Sequence, residues 1–145
     1  EKGVQEYALT GHTKAVNDLA ISPNGQTLVS CGDDHSVRIW NLAMGKQLRS
    51  LNGHTRDVNS VVISADGQLI ASGSEDRTIV LWRLDTGEPI RTFSGLAGMI
   101  RCVAISPDGQ VVVSGGLDKQ IKLWSLKTGT QIRTFAMSHF GAVNA

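Results

Sequence analysis

Short apolar runs recur along the whole chain and are separated by glycine-containing turns. The runs 61–63 and 111–113 consist of valine and isoleucine only and are too short for helices. Asn-Gly or Asp-Gly pairs occur at 24–25, 66–67 and 108–109. Such pairs supply the positive φ angles of hairpin turns at little cost. The pattern therefore predicts short antiparallel strands joined in meanders.

The pattern repeats with a period of 42 residues, which is the spacing of the three tryptophans Trp40, Trp82 and Trp124. Aligning the chain on this period gives three units without gaps, at 11–52, 53–94 and 95–136. Each unit holds four short runs, so it is one supersecondary motif used three times. Eleven columns are identical in all three units, and in the first unit they are Gly11, Ile21, Ser22, Gly25, Gln26, Ser30, Asp34, Trp40, Leu42, Gly45 and Arg49.

The four runs of a unit differ in polarity. Inner runs such as 61–63 are apolar on both faces, so a neighbouring sheet must cover each face. The fourth run carries charge, and in the second unit also Pro89, which blunts an outer edge against further strand pairing. The expected fold is all-β, with four-stranded antiparallel sheets stacked as propeller blades.

The units resemble those of the WD-repeat β-propeller family over residues 11–136. The resemblance is carried by the hairpin turns, by Gly-His at 11–12 and 53–54, and by an Asp-x5-Trp motif that ends at each tryptophan. Two departures are present. The residue after each tryptophan is not Asp, and the third unit has Gly95-Leu96 in place of Gly-His.

The resemblance implies a buried network of His, Ser, Asp and Trp in each unit. A buried carboxylate needs hydrogen-bond donors, which imidazole and hydroxyl groups can supply. Since the third unit lacks the histidine, we expect its Asp118 to be satisfied by backbone donors or water. The implied members are His12, Ser30, Asp34 and Trp40; His54, Ser72, Asp76 and Trp82; and Ser114, Asp118 and Trp124.

Ser, His and Asp together also suggest a hydrolase, but the pattern argues against an enzyme. A nucleophile must be exposed beside an oxyanion hole, whereas this set is repeated on core strands and includes an indole. The histidines show no metal-ligand spacing, and no phosphate-binding glycine loop is present. We expect no catalytic residue, no cofactor and no metal.

Composition narrows the partners and the location. Fourteen basic residues face thirteen acidic ones, which gives no argument for nucleic acid or a membrane surface. The column Arg49, Arg91 and Arg133 could form a basic stripe, although a solvated edge is favoured. Cys31 and Cys102 are predicted to be unpaired, which is compatible with a reducing compartment, and a cytoplasmic location is expected.

WD propellers typically bind partners on the face whose loops enter the innermost strands. Carried over to this sequence, the contact columns change from acidic and polar in the first two units to apolar and basic in the third. A binding face would vary in this way, but so would unconstrained positions, and both interpretations stay open. The positions are Ala15, Asn17, Asp33, Asp57, Asn59, Glu75, Met99, Arg101 and Leu117.

These observations favour a non-enzymatic scaffold or adaptor module that docks a protein or peptide. The alternative is a sensor or regulatory repeat array fused to a signalling or catalytic domain outside this chain. An enzyme that worked in a central channel would need a unique set of ionisable residues on the axis, and the sequence offers none.

The two ends predict an incomplete propeller, because closed rings have about 4–8 blades. Residues 1–10 are expected to form an outer strand of a preceding or closing blade, and 137–145 the start of a fourth repeat. Either the chain is the opening part of a longer propeller, whose remaining blades are then its partners, or copies of the chain assemble. In both cases the isolated chain should not be a stable monomer.

Overall fold

The structure is a computed structural model that describes residues 8–136. The described residues form three four-stranded antiparallel sheets whose strand order follows the chain. This confirms the predicted all-β class. Blade one contains β1 (Val16–Ile21), β2 (Thr27–Gly32), β3 (Ser36–Asn41) and β4 (Lys46–Asn52). Blade two contains β5 (Val58–Ile63), β6 (Leu69–Ser74), β7 (Ile79–Arg83) and β8 (Pro89–Phe93). Blade three contains β9 (Ile100–Ile105), β10 (Val111–Gly116), β11 (Gln120–Ser125) and β12 (Gln131–Ala136).

The hairpin between the first two strands of each blade is closed by its own side chains. In blade one the Ser22 hydroxyl donates to Asn24 at 2.6 Å and accepts from the amide of Thr27 at 3.0 Å. Gly25 follows at a φ of 70°, a conformation that glycine adopts without strain. Serine and glycine are identical in these columns because the turn needs both.

Each innermost strand begins with a bulge. In blade one Val16 pairs with Gly32 and Asp18 pairs with Cys31, so Asn17 has no partner in the ladder. Asn59 and Arg101 are the extra residues in the other two blades. A bulge redirects the side chain of its extra residue, which matters for the site below.

Each outer strand also carries a bulge, whose extra residue is an exposed aliphatic side chain. These residues are Leu48, Ile90 and Ile132. Bulges twist an edge away from further pairing, so they add to the proline and charge that the sequence analysis identified.

The blades stack face to face, with an apolar cluster between each neighbouring pair. Trp82 of blade two packs into the first cluster with Val37 of blade one, and Trp124 of blade three packs into the second with Ala71 of blade two. Trp82 and Trp124 thus both pack towards the preceding blade. Among the described residues only blade two is covered by a blade on both faces.

The predicted ends lie almost wholly outside the described residues. Residues 1–7 and 137–145 are not described, and residues 8–10 are not in a strand. The outer strand expected in 1–10 and the fourth repeat expected in 137–145 therefore stay predictions, as does the division at 11–52, 53–94 and 95–136.

Candidate partner-docking face and blade networks

In blade one the structure brings the four predicted network residues together. Because a carboxylate only accepts, Nδ1–H of His12 donates to Asp34, at 2.9 Å from the nearer oxygen. On the other side of the ring, Nε2 lies 2.7 Å from the hydroxyl of Ser30. The indole N–H of Trp40 donates to the same hydroxyl oxygen at 2.8 Å.

Blade two repeats this arrangement with His54, Ser72, Asp76 and Trp82. The three corresponding distances are 2.9, 2.8 and 2.9 Å. The network therefore ties the loop before the first strand to the second and third strands of the same blade.

Further donors surround the two carboxylates. Burial raises the pKa of Asp34, but hydrogen bonds from Ser36, the amide of Thr13 and His12 outweigh it and hold the pKa well below its usual range. The pKa of Asp76 is lowered against burial in the same way, with His54 and Thr78 as the main donors. Both groups are charged at neutral pH.

In blade three, which lacks the histidine, the donors that bind Asp118 differ in part from those expected. The amide of Gln120 donates to Asp118 at 3.2 Å, a backbone donor of the predicted kind. The prediction missed the side-chain donor, since the buried ammonium of Lys122 lies 3.0 Å from the same carboxylate. Leu96 is buried in the apolar cluster between blades two and three, and the Trp124–Ser114 bond is longer, at 3.4 Å.

The Ser–His–Asp geometry does not make a nucleophile accessible in blade two. Ser72 is fully buried, and an indole N–H already occupies a lone pair of its oxygen. A catalytic serine must contact both substrate and oxyanion donors, so the geometry supports a role in stability.

The nine predicted contact positions lie at one end of the blades. This end, the loop face, carries the loops that precede β1, β5 and β9 and the turns that follow β2, β6 and β10. Ala15, Asn17 and Leu117 are exposed, and the other six are half-buried. The opposite end, the hairpin face, carries the remaining turns.

Two of the nine residues bind the neighbouring blade. The amide of Asn17 donates to the carbonyl of Val58 at 3.1 Å, and that of Asn59 to the carbonyl of Ile100 at 2.8 Å. Both are the extra residues of the inner bulges, which explains their direction. Asn17 also donates to Asp33 at 2.7 Å.

Three more of the nine residues form polar side-chain contacts across blades. Glu75 lies 3.4 Å from Arg101, and Asp57 lies 3.3 Å from the imidazole of His35. These pairs are partly exposed and so contribute little stability, but they engage most of the polar side chains that the sequence analysis had assigned to a partner.

A groove of about 320 Å³ lies on the loop face between blades two and three. Of the residues that line it, Glu75 and Met99 were predicted as contacts and Asp76 as a network residue, whereas Thr55, Arg56 and Arg77 were missed. Both arginines are exposed, and neither forms an ion pair with a described residue. The signal was present, because the Arg77 column is basic in every unit, with His35 and Lys119.

The arginine column on the outer strands has a structural role that the sequence analysis did not foresee. Arg49 donates to the carbonyl of Asp85 at 3.2 Å, and Arg91 to that of Thr128 at 3.0 Å. Each arginine thus clasps a turn of the next blade, so the first two members of the column are neither a free basic stripe nor simply solvated.

Neither a metal site nor a membrane-spanning helix is present in residues 8–136. No group of three acidic, histidine or cysteine side chains is placed to hold a metal ion. None of the described segments is a helix long and apolar enough to cross a membrane.

Three stacked meanders with these networks define a partial propeller. The family model described as "WD domain, G-beta repeat" matches residues 3–41, 45–83 and 87–125, and the chain belongs to this family. The second and third matches each begin at the outer strand of one blade and end at the third strand of the next.

Relatives with assigned names match one repeat or slightly more. Small ribosomal subunit protein RACK1 of Trypanosoma brucei brucei is 46% identical over 44 residues, which is 30% of this chain and 14% of that protein. Ribosome biogenesis protein erb1 of Botryotinia fuckeliana is 47% identical over 47 residues, covering 32% and 6%. Polyadenylation factor subunit 2 of Candida albicans is 40% identical over 42 residues, covering 29% and 8%.

Solved propellers share the fold. The structures described as "Structure of U3-55K" and "Crystal structure of RRP9 WD40 repeats" each superpose with a TM-score of 0.88 at 24% identity. In both cases the match covers 92% of this chain and 42% of the solved chain. The chain therefore spans less than half of these propellers and a small part of the named relatives.

Proposed function

We propose that this chain is a non-enzymatic scaffold module that docks an acidic protein segment or peptide in the loop-face groove. The observation that carries the proposal is the groove between blades two and three, with Arg56 and Arg77 on its walls. Guanidinium groups bind carboxylates in a bidentate geometry, which gives direction as well as affinity.

The surroundings of the groove support a peptide more than a flat partner. Two carboxylates also line the groove, but Glu75 is paired with Arg101 and Asp76 is bound by His54. Neither carboxylate forms an ion pair with the two exposed arginines. Met99 adds an apolar wall that adapts to different side chains. An extended acidic segment with one apolar residue fits this combination.

The test is selection from a random twelve-residue peptide library displayed on phage. We expect enriched peptides to carry carboxylates and to bind the protein measurably in fluorescence polarisation. The double variant Arg56→Asn/Arg77→Asn should weaken them at least about tenfold, since two charge-assisted contacts are removed. Asparagine is chosen because it tolerates the left-handed φ of 66° at Arg77.

The matched control removes the same charge from the hairpin face with Arg83→Asn/Lys127→Asn, two exposed residues. It should leave peptide affinity unchanged. The proposal fails if no peptide is enriched, or if the control pair lowers affinity as much as the loop-face pair.

Two further features support the predictions that the chain does not bind nucleic acid and that it is cytoplasmic. Arg49 and Arg91 hydrogen-bond to carbonyls of the next blade, which leaves these guanidinium groups fewer donors for the phosphates of a nucleic acid. Cys31 and Cys102 are both free thiols, and burial together with the nearby Asp18 raises the pKa of Cys31 to about 12. Unreactive free thiols support a cytoplasmic location, which we retain as a prediction.

A further inference from the structure

The two end blades expose faces that the repeat shows to be halves of one interface. On blade one Val16 is 49% exposed and Leu19 is 58% exposed. In blade two the same columns hold Val58 at 0% and Val61 at 4%, because blade one covers them. The exposed side chains of blade one therefore occupy interface columns that no described blade covers.

Blade three exposes the complementary socket. A shallow apolar cavity of about 150 Å³ is lined by Cys102, Ala104, Val113, Gly115 and Ile121. The residues at four of these columns in blade one, namely Ala20, Val29, Cys31 and Val37, pack against blade two. The cavity is the place where a following blade would sit.

The sizes of the two exposed faces match. A side chain at Gly73 of blade two would collide with Ile100 and Val103 of blade three, so glycine makes room for that pair. Gly115 occupies the same column in blade three. Val16 and Leu19 contain together as many carbon atoms as Ile100 and Val103, so they suit a glycine socket equally well.

The outer rims of the two end blades also match, through the arginine column and the glycine turns that receive it. Arg49 and Arg91 each reach a turn of the next blade and lie against its glycine, Gly87 or Gly129. Arg133 is the third member of the column and is exposed on the outer strand of blade three. Gly45, with a φ of 60°, marks the corresponding turn on blade one.

We propose that a second copy of this chain docks head to tail, with its blade one seated on blade three of the first. The described residues of two copies form six blades, within the range of about 4–8 in which propellers close, whereas those of three copies would form nine. A heterologous contact forms a ring when its rotation closes. The expected species is a closed dimer, and it does not depend on what the loop-face groove binds.

The contact between copies should be weaker than those within the chain. Within the chain, Asn17 and Asn59 bind the carbonyl of the next blade, and Asp18 accepts from Ser60 and the amide of Val61. Arg101 and Cys102 occupy these columns in blade three. Arginine is held by Glu75, and sulfur is a weak acceptor, so the dimer relies on apolar packing and should dissociate on dilution.

The first test is light scattering after size exclusion over a range of concentrations. Wild type should give the mass of two 15.5 kDa chains and approach one chain on dilution. Leu19→Asp should remain a monomer with an unchanged β-sheet circular dichroism spectrum, since residue 19 is exposed within the chain. Leu48→Asp is the control at 53% exposure, because its equivalent Ile90 stays 42% exposed beside a neighbouring blade.

The second test mixes two monomeric variants. Ala104→Lys places a charge in the socket at an exposed position, and alone it should also block association. In an equimolar mixture, Leu19→Asp keeps an intact socket on blade three and Ala104→Lys keeps an intact apolar face on blade one. These two surfaces can pair, so the mixture should recover dimers.

Three results would overturn the proposal. One is a wild-type monomer at every concentration, which would leave both faces to unlike blades of a longer chain. Another is a dimer that Leu48→Asp weakens as much as Leu19→Asp. The third is an assembly whose mass grows without limit, because the ring would then not close.

Discussion

At the scale of single residues, the three blades supply a hydrogen-bond donor to the same aspartate column in two ways. Asp34 and Asp76 are each held by a histidine, whereas Asp118 is held by a buried lysine. A buried carboxylate left without a donor is costly, and in blade three Lys122 supplies the side-chain donor that histidine supplies in the other two blades. The Lys122 column does not simply alternate with the histidine, because Arg38 of blade one lies 3.4 Å from Asp34 in addition to His12, whereas blade two has Val80.

Replacing Lys122 by methionine should destabilise the protein by about 3–5 kcal/mol, since it leaves the half-buried charge of Asp118 with only the amide of Gln120 as a donor. In a Leu96→His background the same replacement should cost less, because the imidazole can then donate to the carboxylate. Urea unfolding of the four proteins in this cycle measures the coupling. Equal costs in both backgrounds would show that a histidine at position 96 does not reach Asp118.

Acid should weaken the protein through Asp34 and Asp76. Their folded pKa values are depressed, so the stability they contribute is complete above the unfolded value of about 3.9. It is lost as the pH falls below that value towards the folded one. Asp76→Asn, which cannot titrate, should show a smaller fall in urea midpoint between about pH 5 and about pH 3. A fall as large as that of wild type would mean that Asp76 is not linked to folding.

At the scale of the strand and the turn, the sequence predicted the meanders but not the bulges. Alternation and glycine turns determine which segments pair, so the hairpins were recoverable. The bulges add one residue to a strand without altering its composition, and they decide that Asn17 and Asn59 bind the next blade. The direction of these side chains depends on the register between strands, which cannot be read from a single sequence.

Gly87 offers a test of how turns fit between blades. A side chain there would collide with Leu51, which is buried, and with Arg49. Gly109 has a similar φ, 67° against 74°, but open space around it. Alanine at either position bears the left-handed strain of about 1–2 kcal/mol, and overpacking should add about 1–3 kcal/mol at Gly87 only. Thermal unfolding compares the two variants, and equal losses would mean that Leu51 yields freely.

At the scale of the whole molecule, the main contacts between the described blades join neighbours. The apolar clusters, the asparagine bonds and the arginine clasps all link one blade to the next. Such an array behaves as a chain of coupled units rather than as one core. The partner face was the least predictable part, because its residues vary and several of them turned out to hold blades together.

Native-state hydrogen exchange should reveal this linear coupling in the monomeric Leu19→Asp variant. Amides of β6 and β7 should exchange most slowly, since blade two has neighbours on both faces. Amides of β2, β3, β10 and β11 should open at lower free energy. Uniform protection across the three blades would show that they unfold as one unit.

The regular spacing of the contacts between blades has a consequence for how the gene can gain or lose whole repeats. Asn17 and Asn59 bind residues 41 positions ahead, and the glycine that receives each arginine recurs every 42 residues. Duplication of 42 codons, starting at any point in a repeat, would insert one blade. Its apolar faces and arginine contacts would already fit those of the blades on either side. Strand slippage during replication can therefore lengthen or shorten this protein without a separate search for compatible surfaces.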